Sequence, residues 1–106
     1  MIYVIDANNL AGKLNILDDE NFDKKLISNI KKYFFNKNNS VYLVFDSNDP
    51  MGDKYKEDNI AVIYTPRDNY YKGADDKIIE LTQKFYQEVR VFGHRDGIHI
   101  LKIKII

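Results

Sequence analysis

At 106 residues the chain is the size of one small domain. Sixteen basic residues balance sixteen acidic ones, which excludes a protein that coats nucleic acid through bulk charge, though not a local basic rim that meets RNA. The absence of cysteine excludes a disulfide framework, a thiolate metal site and a cysteine nucleophile. Asp6 interrupts the first apolar run, no basic stretch precedes it and no segment approaches membrane-spanning length, so a soluble cytoplasmic protein without membrane contact is expected.

Ile2 to Ile5 form a short apolar run that suits a strand buried on both faces. It ends at Asp6, and Ala7-Asn8-Asn9 reads as a turn. An acid at the carboxyl end of such a strand stands at the rim where open α/β sheets bind ligands. Equally, Asp6 and the asparagines serve as strand stop and cap. Leu10 to Leu17 reads as a helical turn or loop. Phe22, Leu26, Ile27, Ile30, Tyr33 and Phe34 then recur at helical spacing behind Asn21 or Asp23 as cap, with lysines on the other face.

Val41 to Phe45 is the second buried strand, and it too ends in an acid, Asp46. Ser47 to Asn59, rich in Asp, Asn, Gly, Pro and Lys, reads as a loop over the sheet end. Ile60 to Tyr64 is the third strand, followed by a polar loop, Thr65 to Gly73, that carries Arg67, Tyr71 and Lys72. Ala74 to Gln87 is predicted helical, with Ala74, Ile78, Leu81 and Phe85 on one face. Val89 to Phe92 is read as a fourth strand.

This order predicts an α/β fold with a mostly parallel central sheet flanked by helices. Parallel pairing would bring Asp6 and Asp46 to one edge, and Asp75 and Asp76 open the helix that starts beside it. Carboxylates so close repel unless a cation neutralises them or some take up protons. A hard divalent ion, Mg²⁺ or Mn²⁺, suits such oxygen donors. Taken singly, each acid also reads as a strand stop or a helix cap. Asp75 and Asp76 differ in being a pair, and one acid suffices to cap.

The stretches I-D-A-N-N-L at 5–10, V-F-D at 44–46, V-I-Y-T at 62–65 and K-G-A-D-D-K-I-I-E at 72–80 resemble, in order and spacing, the successive motifs of NYN domains. These are PIN-like, metal-dependent ribonucleases, and the resemblance spans about residues 2–92. It implies catalytic and metal-binding roles for Asp6, Asp46 and Asp75, with Asn9 and Asp76 in support. It also implies Mg²⁺ or Mn²⁺ as cofactor and an activated water that attacks an RNA phosphodiester. Lys72 belongs to the matching motif, and with Arg67 and Tyr71 it is expected to contact RNA through charge and base stacking.

The chain departs from the family pattern after the fourth strand, where members carry a further aspartate. Here the segment reads Phe92-Gly93-His94-Arg95-Asp96-Gly97. Asp96 is the candidate for that acid, displaced by a residue or two, and His94 is the other residue that could stand in its place. Asp-Gly between apolar runs also signals a hairpin turn, the reading preferred here. Ile98 to Ile106 would then fold back as a C-terminal β-hairpin, whose edge suggests a homodimer through this strand. A receiver domain would need an acidic pair after strand one, and a DxD phosphatase an aspartate at position 8, where Asn8 stands. The serious alternative is a PIN-like domain that has lost cleavage and acts as an RNA-binding or protein-interaction module.

Overall fold

The computed structural model describes residues 2–35, 37–68, 70–92 and 103–105. Strand β1 (Ile2–Asp6) runs directly into helix α1 (Ala7–Lys13), and helix α2 (Phe22–Tyr33) follows. Strands β2 (Ser40–Phe45), β3 (Asp53–Glu57) and β4 (Ile60–Tyr64) come next, then helix α3 (Ala74–Phe92) and strand β5 (Ile103–Ile105). The five strands form one sheet in the order β3-β4-β2-β1-β5.

The apolar runs behave as two-faced strands. Ile5, Val41, Leu43, Phe45, Ile60 and Val62 pack on one side against Ala7, Ala11, Leu26, Ile27, Ile30 and Phe34 of the α1–α2 segment. Their strand neighbours Val4, Val44 and Ile63 pack on the other side against Ala74, Ile78, Leu81 and Phe85 of α3. Helices on both faces of the sheet define the α/β class.

The sheet is mixed, where a mostly parallel one was expected. β2 pairs parallel with β1 and with β4, and β5 pairs parallel with β1. β3 pairs antiparallel with β4. This strand lies within the stretch read as a loop. Its sequence D-K-Y-K-E is exposed at every position, so no apolar alternation announces it. The two-residue turn Asp58-Asn59 closes the hairpin, with Asp58 at φ 53. Asn59 fastens that turn by donating from Nδ2 to the carbonyls of Phe34, Lys37 and Asn39. At the other end Gly52 has φ 64, and a Cβ there would run into the Tyr64 carbonyl oxygen and Pro66.

Three further expectations give way. Ala7-Asn8-Asn9 is the first turn of α1, because Asp6 serves as its N-cap. The helix predicted to end near Gln87 runs on to Phe92, so Val89 to Phe92 is helical and not a fourth strand. Val89 and Phe92 continue the spacing of Phe85 at i+4 and i+7, and no Gly or Pro intervenes. The C-terminal β-hairpin therefore does not form: Ile103–Ile105 pairs parallel with β1, beside Ile2 to Val4. The turn at 93–97, with His94 and Asp96, lies outside the described residues.

From β1 the chain steps outward to β2 and β4, then returns through α3 to β5 on the far side of β1. The order thus reverses at β1, the strand that ends in Asp6. Open α/β sheets bind ligands beyond the carboxyl ends of their strands at such a reversal. Among the described residues, no helix is long and apolar enough to cross a membrane.

Candidate functional site at the carboxyl edge of the sheet

Parallel register places Asp6 beside Val44, so Asp46 emerges two residues further along the neighbouring strand. Asn8 ties the two ends together: its Oδ1 accepts from the Asp46 amide at 2.9 Å. Asp6 caps its own helix, Oδ1 accepting from the Asn9 amide at 3.3 Å. The Asn9 side chain is exposed, and it is the Asn9 backbone that serves the site.

Asp46 reaches across the edge to α3, where Oδ1 accepts from the Ala74 amide at 2.6 Å. Gly73 makes this approach feasible, since a Cβ at that position would stand only 3.0 Å from the same oxygen. Asp76 reaches back outside the helix, Oδ2 accepting from the Lys72 amide at 2.7 Å. This is a capping box displaced by one residue. Asp46 and Asp76 thus do the capping of α3.

Asp75 caps nothing among the described residues, and it lies near enough for its charge to act on the Asp6 carboxyl. Partial burial pushes the Asp6 carboxyl above its ordinary range, and the Asp75 and Asp46 charges push the same way against the Asn9 amide. Asp46 and Asp75 thus both act electrostatically on Asp6. Among the described residues, no three or more acidic or histidine side chains are drawn together tightly enough to hold a metal ion. The donors are all carboxylate oxygens, the chemistry that Mg²⁺ and Mn²⁺ accept, and a cation would relieve the smaller part of the Asp6 shift that comes from the Asp75 and Asp46 charges.

A cleft of about 480 Å³ opens beside Asp46. Arg67 and Lys72 line it, as do Ser47 and Asn48 after β2 and Thr65 after β4. Arg67 is fixed by its Nη1, which donates to Asn48 Oδ1 at 2.8 Å. Tyr71 lies apart from this cleft. It lines a neighbouring groove with Ile79 and Gln83, donates its hydroxyl to Glu80, and has Lys77 5.2 Å from its ring centroid. Its phenol is pushed up to about 12, first by the bond to Glu80.

Sequence reasoning missed three residues here. The sequence places Asn8 in a turn, Phe22 in a helix core and Thr65 at the start of a polar loop. Only the strand register and the entry angle of α2 bring them to one cleft, and neither is written in local pattern. Lys54 and Lys56, within the stretch expected to form a loop over the sheet end, instead sit on β3 and line a groove on the α3 face.

The fold and site define an α/β domain with an acidic edge beside a cation-lined cleft. Comparison with protein-family models, with curated proteins and with solved structures found no match to this chain.

Proposed function

We propose that the chain is a PIN-like domain of the NYN kind, a divalent-metal-dependent endoribonuclease that hydrolyses RNA phosphodiester bonds. The observation that carries the reading is the grouping of Asp6, Asp75 and Asp46 where the sheet order reverses, with the Asp6 carboxyl raised first by burial and further by the Asp75 and Asp46 charges. Mg²⁺ or Mn²⁺ would be held by these three carboxylates. Bound there, such an ion supplies a lowered water pKa and neutralises charge on a phosphoryl oxygen.

The chain's own residues do the rest. Asp46, fixed by Asn8 and by the Ala74 amide, holds its place without needing the ion. Asp75 projects no capping bond of its own among the described residues and is the acid available to act with Asp6. Arg67 and Lys72 line the adjoining cleft and would position the phosphates on either side of the bond that breaks. Metal-dependent cleavage assayed on single-stranded and structured RNA, with Mn²⁺ titrated into wild type and Asp75→Asn, tests the reading. Mn²⁺ binding that Asp75→Asn does not weaken, or no cleavage of any RNA, overturns it.

One observation favours a second reading, a PIN-like module that binds RNA or protein without cutting. Asp46 uses an oxygen to cap α3, and the acids are not gathered into a ready ligand cluster. RNA binding that needs no divalent ion, with no cleavage when one is added, would establish it. A homodimer through β5 belongs to either reading, since β5 forms one edge of the sheet and an edge strand offers unpaired backbone groups. A monomer in light scattering at high micromolar concentration would remove it.

A further inference from the structure

We infer that the cleft beside Asp46 is a pocket for a single unpaired nucleotide of the RNA strand, with Thr65 as its floor and Phe22 as an apolar wall. The inference deepens the ribonuclease reading and rests on it for the statement that the nucleotide belongs to an RNA chain.

The first observation is the Thr65 hydroxyl. Thr65 is 1% exposed, and its Oγ1 has no hydrogen-bond partner. Its amide is engaged with the Phe45 carbonyl at 2.9 Å, so the backbone there is anchored while the hydroxyl is left over. Buried polar groups in native proteins are nearly always paired, and each exception asks for an explanation. Thr65 lines the cleft, so a ligand seated there is the available partner.

The second observation is the bonding of the other lining residues. Acceptors face the protein and donors are left over. Asn8 Oδ1 accepts from the Asp46 amide, which leaves its NH₂ group. Asn48 Oδ1 accepts from Arg67, which leaves the Asn48 NH₂ and the remaining guanidinium N–H groups. Ser47 Oγ accepts from the Asp49 amide at 3.0 Å, which leaves its O–H. Lys72 adds an ammonium. A cleft rich in donors, with Asp46 as its single acid, selects an anionic, oxygen-rich ligand.

The third observation is size and shape. About 480 Å³ falls in the range of small-molecule sites and is far more than one phosphate needs. Phe22 and Pro66 supply an apolar surface, and the Phe22 ring is held 6.1 Å from that of Phe45 at 58°. Cations for a phosphate, donors for ribose oxygens and a ring for a base face together describe a nucleotide. Only an unpaired one presents its base face for stacking.

The test measures binding of a fluorescein-labelled single-stranded RNA octamer to the full chain in EDTA, where cleavage plays no part. The same octamer annealed as a duplex is the comparison. Wild type should bind the single strand at least about tenfold more tightly than the duplex. Thr65→Val removes only the hydroxyl and should weaken single-strand binding about threefold to tenfold. Its unfolding midpoint should stay level or rise, because the hydroxyl satisfies nothing in the free protein. Phe22→Leu should weaken binding about tenfold. Octamer affinity unchanged in Thr65→Val, or duplex bound as tightly as single strand, overturns the pocket. Failure of the nuclease reading looks different: a protein that cuts no RNA with Mn²⁺, yet loses octamer affinity on Thr65→Val, supports the pocket while ending the claim of cleavage.

Discussion

Two regions of this molecule carry opposite charge, and they are built by opposite means. The acidic edge is made from strand ends and helix starts: Asp6 closes β1, Asp46 follows β2, and Asp75 opens α3. A groove of about 500 Å³ on the α3 face is lined by Lys54 and Lys56 of β3, Lys77 and Lys84 of α3, and one acid, Glu80. Zero net charge therefore conceals two fields, one suited to a cation and one to a polyanion. The acidic edge is held by backbone hydrogen bonds, whereas the lysines, apart from the 3.1 Å Lys77–Glu80 pair, stand along an exposed strand and helix.

Substitution at the edge should have the largest effect. Asp6→Asn preserves volume and the cap to Asn9 while removing a carboxylate. Metal-dependent cleavage should fall by at least about 10²-fold, the scale on which one electrostatic contact to a transition state registers. Circular dichroism should show the fold unchanged, and retained cleavage would separate the acidic edge from the chemistry. Asp46→Ala tests how far the edge is also structural. It deletes the acceptor of the Ala74 amide and should lower stability by about 1 kcal/mol in urea denaturation, as loss of a helix cap does. Lys54→Ala should leave stability level by the same measurement. Equal midpoints for Asp46→Ala and wild type would show that the cap is idle.

The two regions also differ in how legible they were. The acidic edge could be read because Ile2 to Ile5 and Val41 to Phe45 are apolar runs that stop at an aspartate. A buried parallel sheet then leaves little choice of where those stops lie. The lysine groove could not, because it needs β3, whose five residues are all exposed and whose pairing is fixed by Gly52 and by the turn at Asp58. Of the last segment, Ile103–Ile105 is a strand as its pattern predicts, but its partner is β1 and not a strand at Val89 to Phe92. Its composition specifies a strand, but which strand it joins depends on α3 running through Val89 to Phe92, which removes the expected partner. The cleft was half legible: Arg67 and Lys72 stood out as loop cations, while Thr65 is a hydroxyl whose missing partner appears only in three dimensions.

The lysine groove is sharpened by salt. If the RNA strand runs from the cleft onto the α3 face, Lys54→Gln and Lys56→Gln should each reduce the slope of log affinity against log salt by about 0.7, the value for one phosphate contact on a single strand. Affinity at moderate salt should fall only a few-fold. A slope that does not move places the strand elsewhere and leaves the lysines as a solvated face.

The smallest effect is the most specific to the comparison, because its sign differs between the regions. The Asp6 carboxyl is raised by burial and by its acidic neighbours, so the folded state holds that proton to higher pH than the unfolded chain. Its contribution is fully present below the unfolded-state value, about 3.9, and is lost as pH rises through the folded one. Glu80 runs the other way. The Tyr71 hydroxyl, and then Lys77, hold its carboxyl below the ordinary range despite some burial. Its contribution is present at neutral pH and is lost as pH falls through the folded value. Urea unfolding of Asp6→Asn and Glu80→Gln beside wild type, at pH 7 and again near pH 3, should therefore give opposite trends. At pH 7 Asp6→Asn should be the more stable and Glu80→Gln the less stable, each by less than about 1 kcal/mol because both carboxyls are screened by solvent. Near pH 3 both differences should shrink. Differences of the same sign at pH 7 would mean that burial at Asp6 and the Tyr71 bond at Glu80 do not act in opposite directions on these carboxyls.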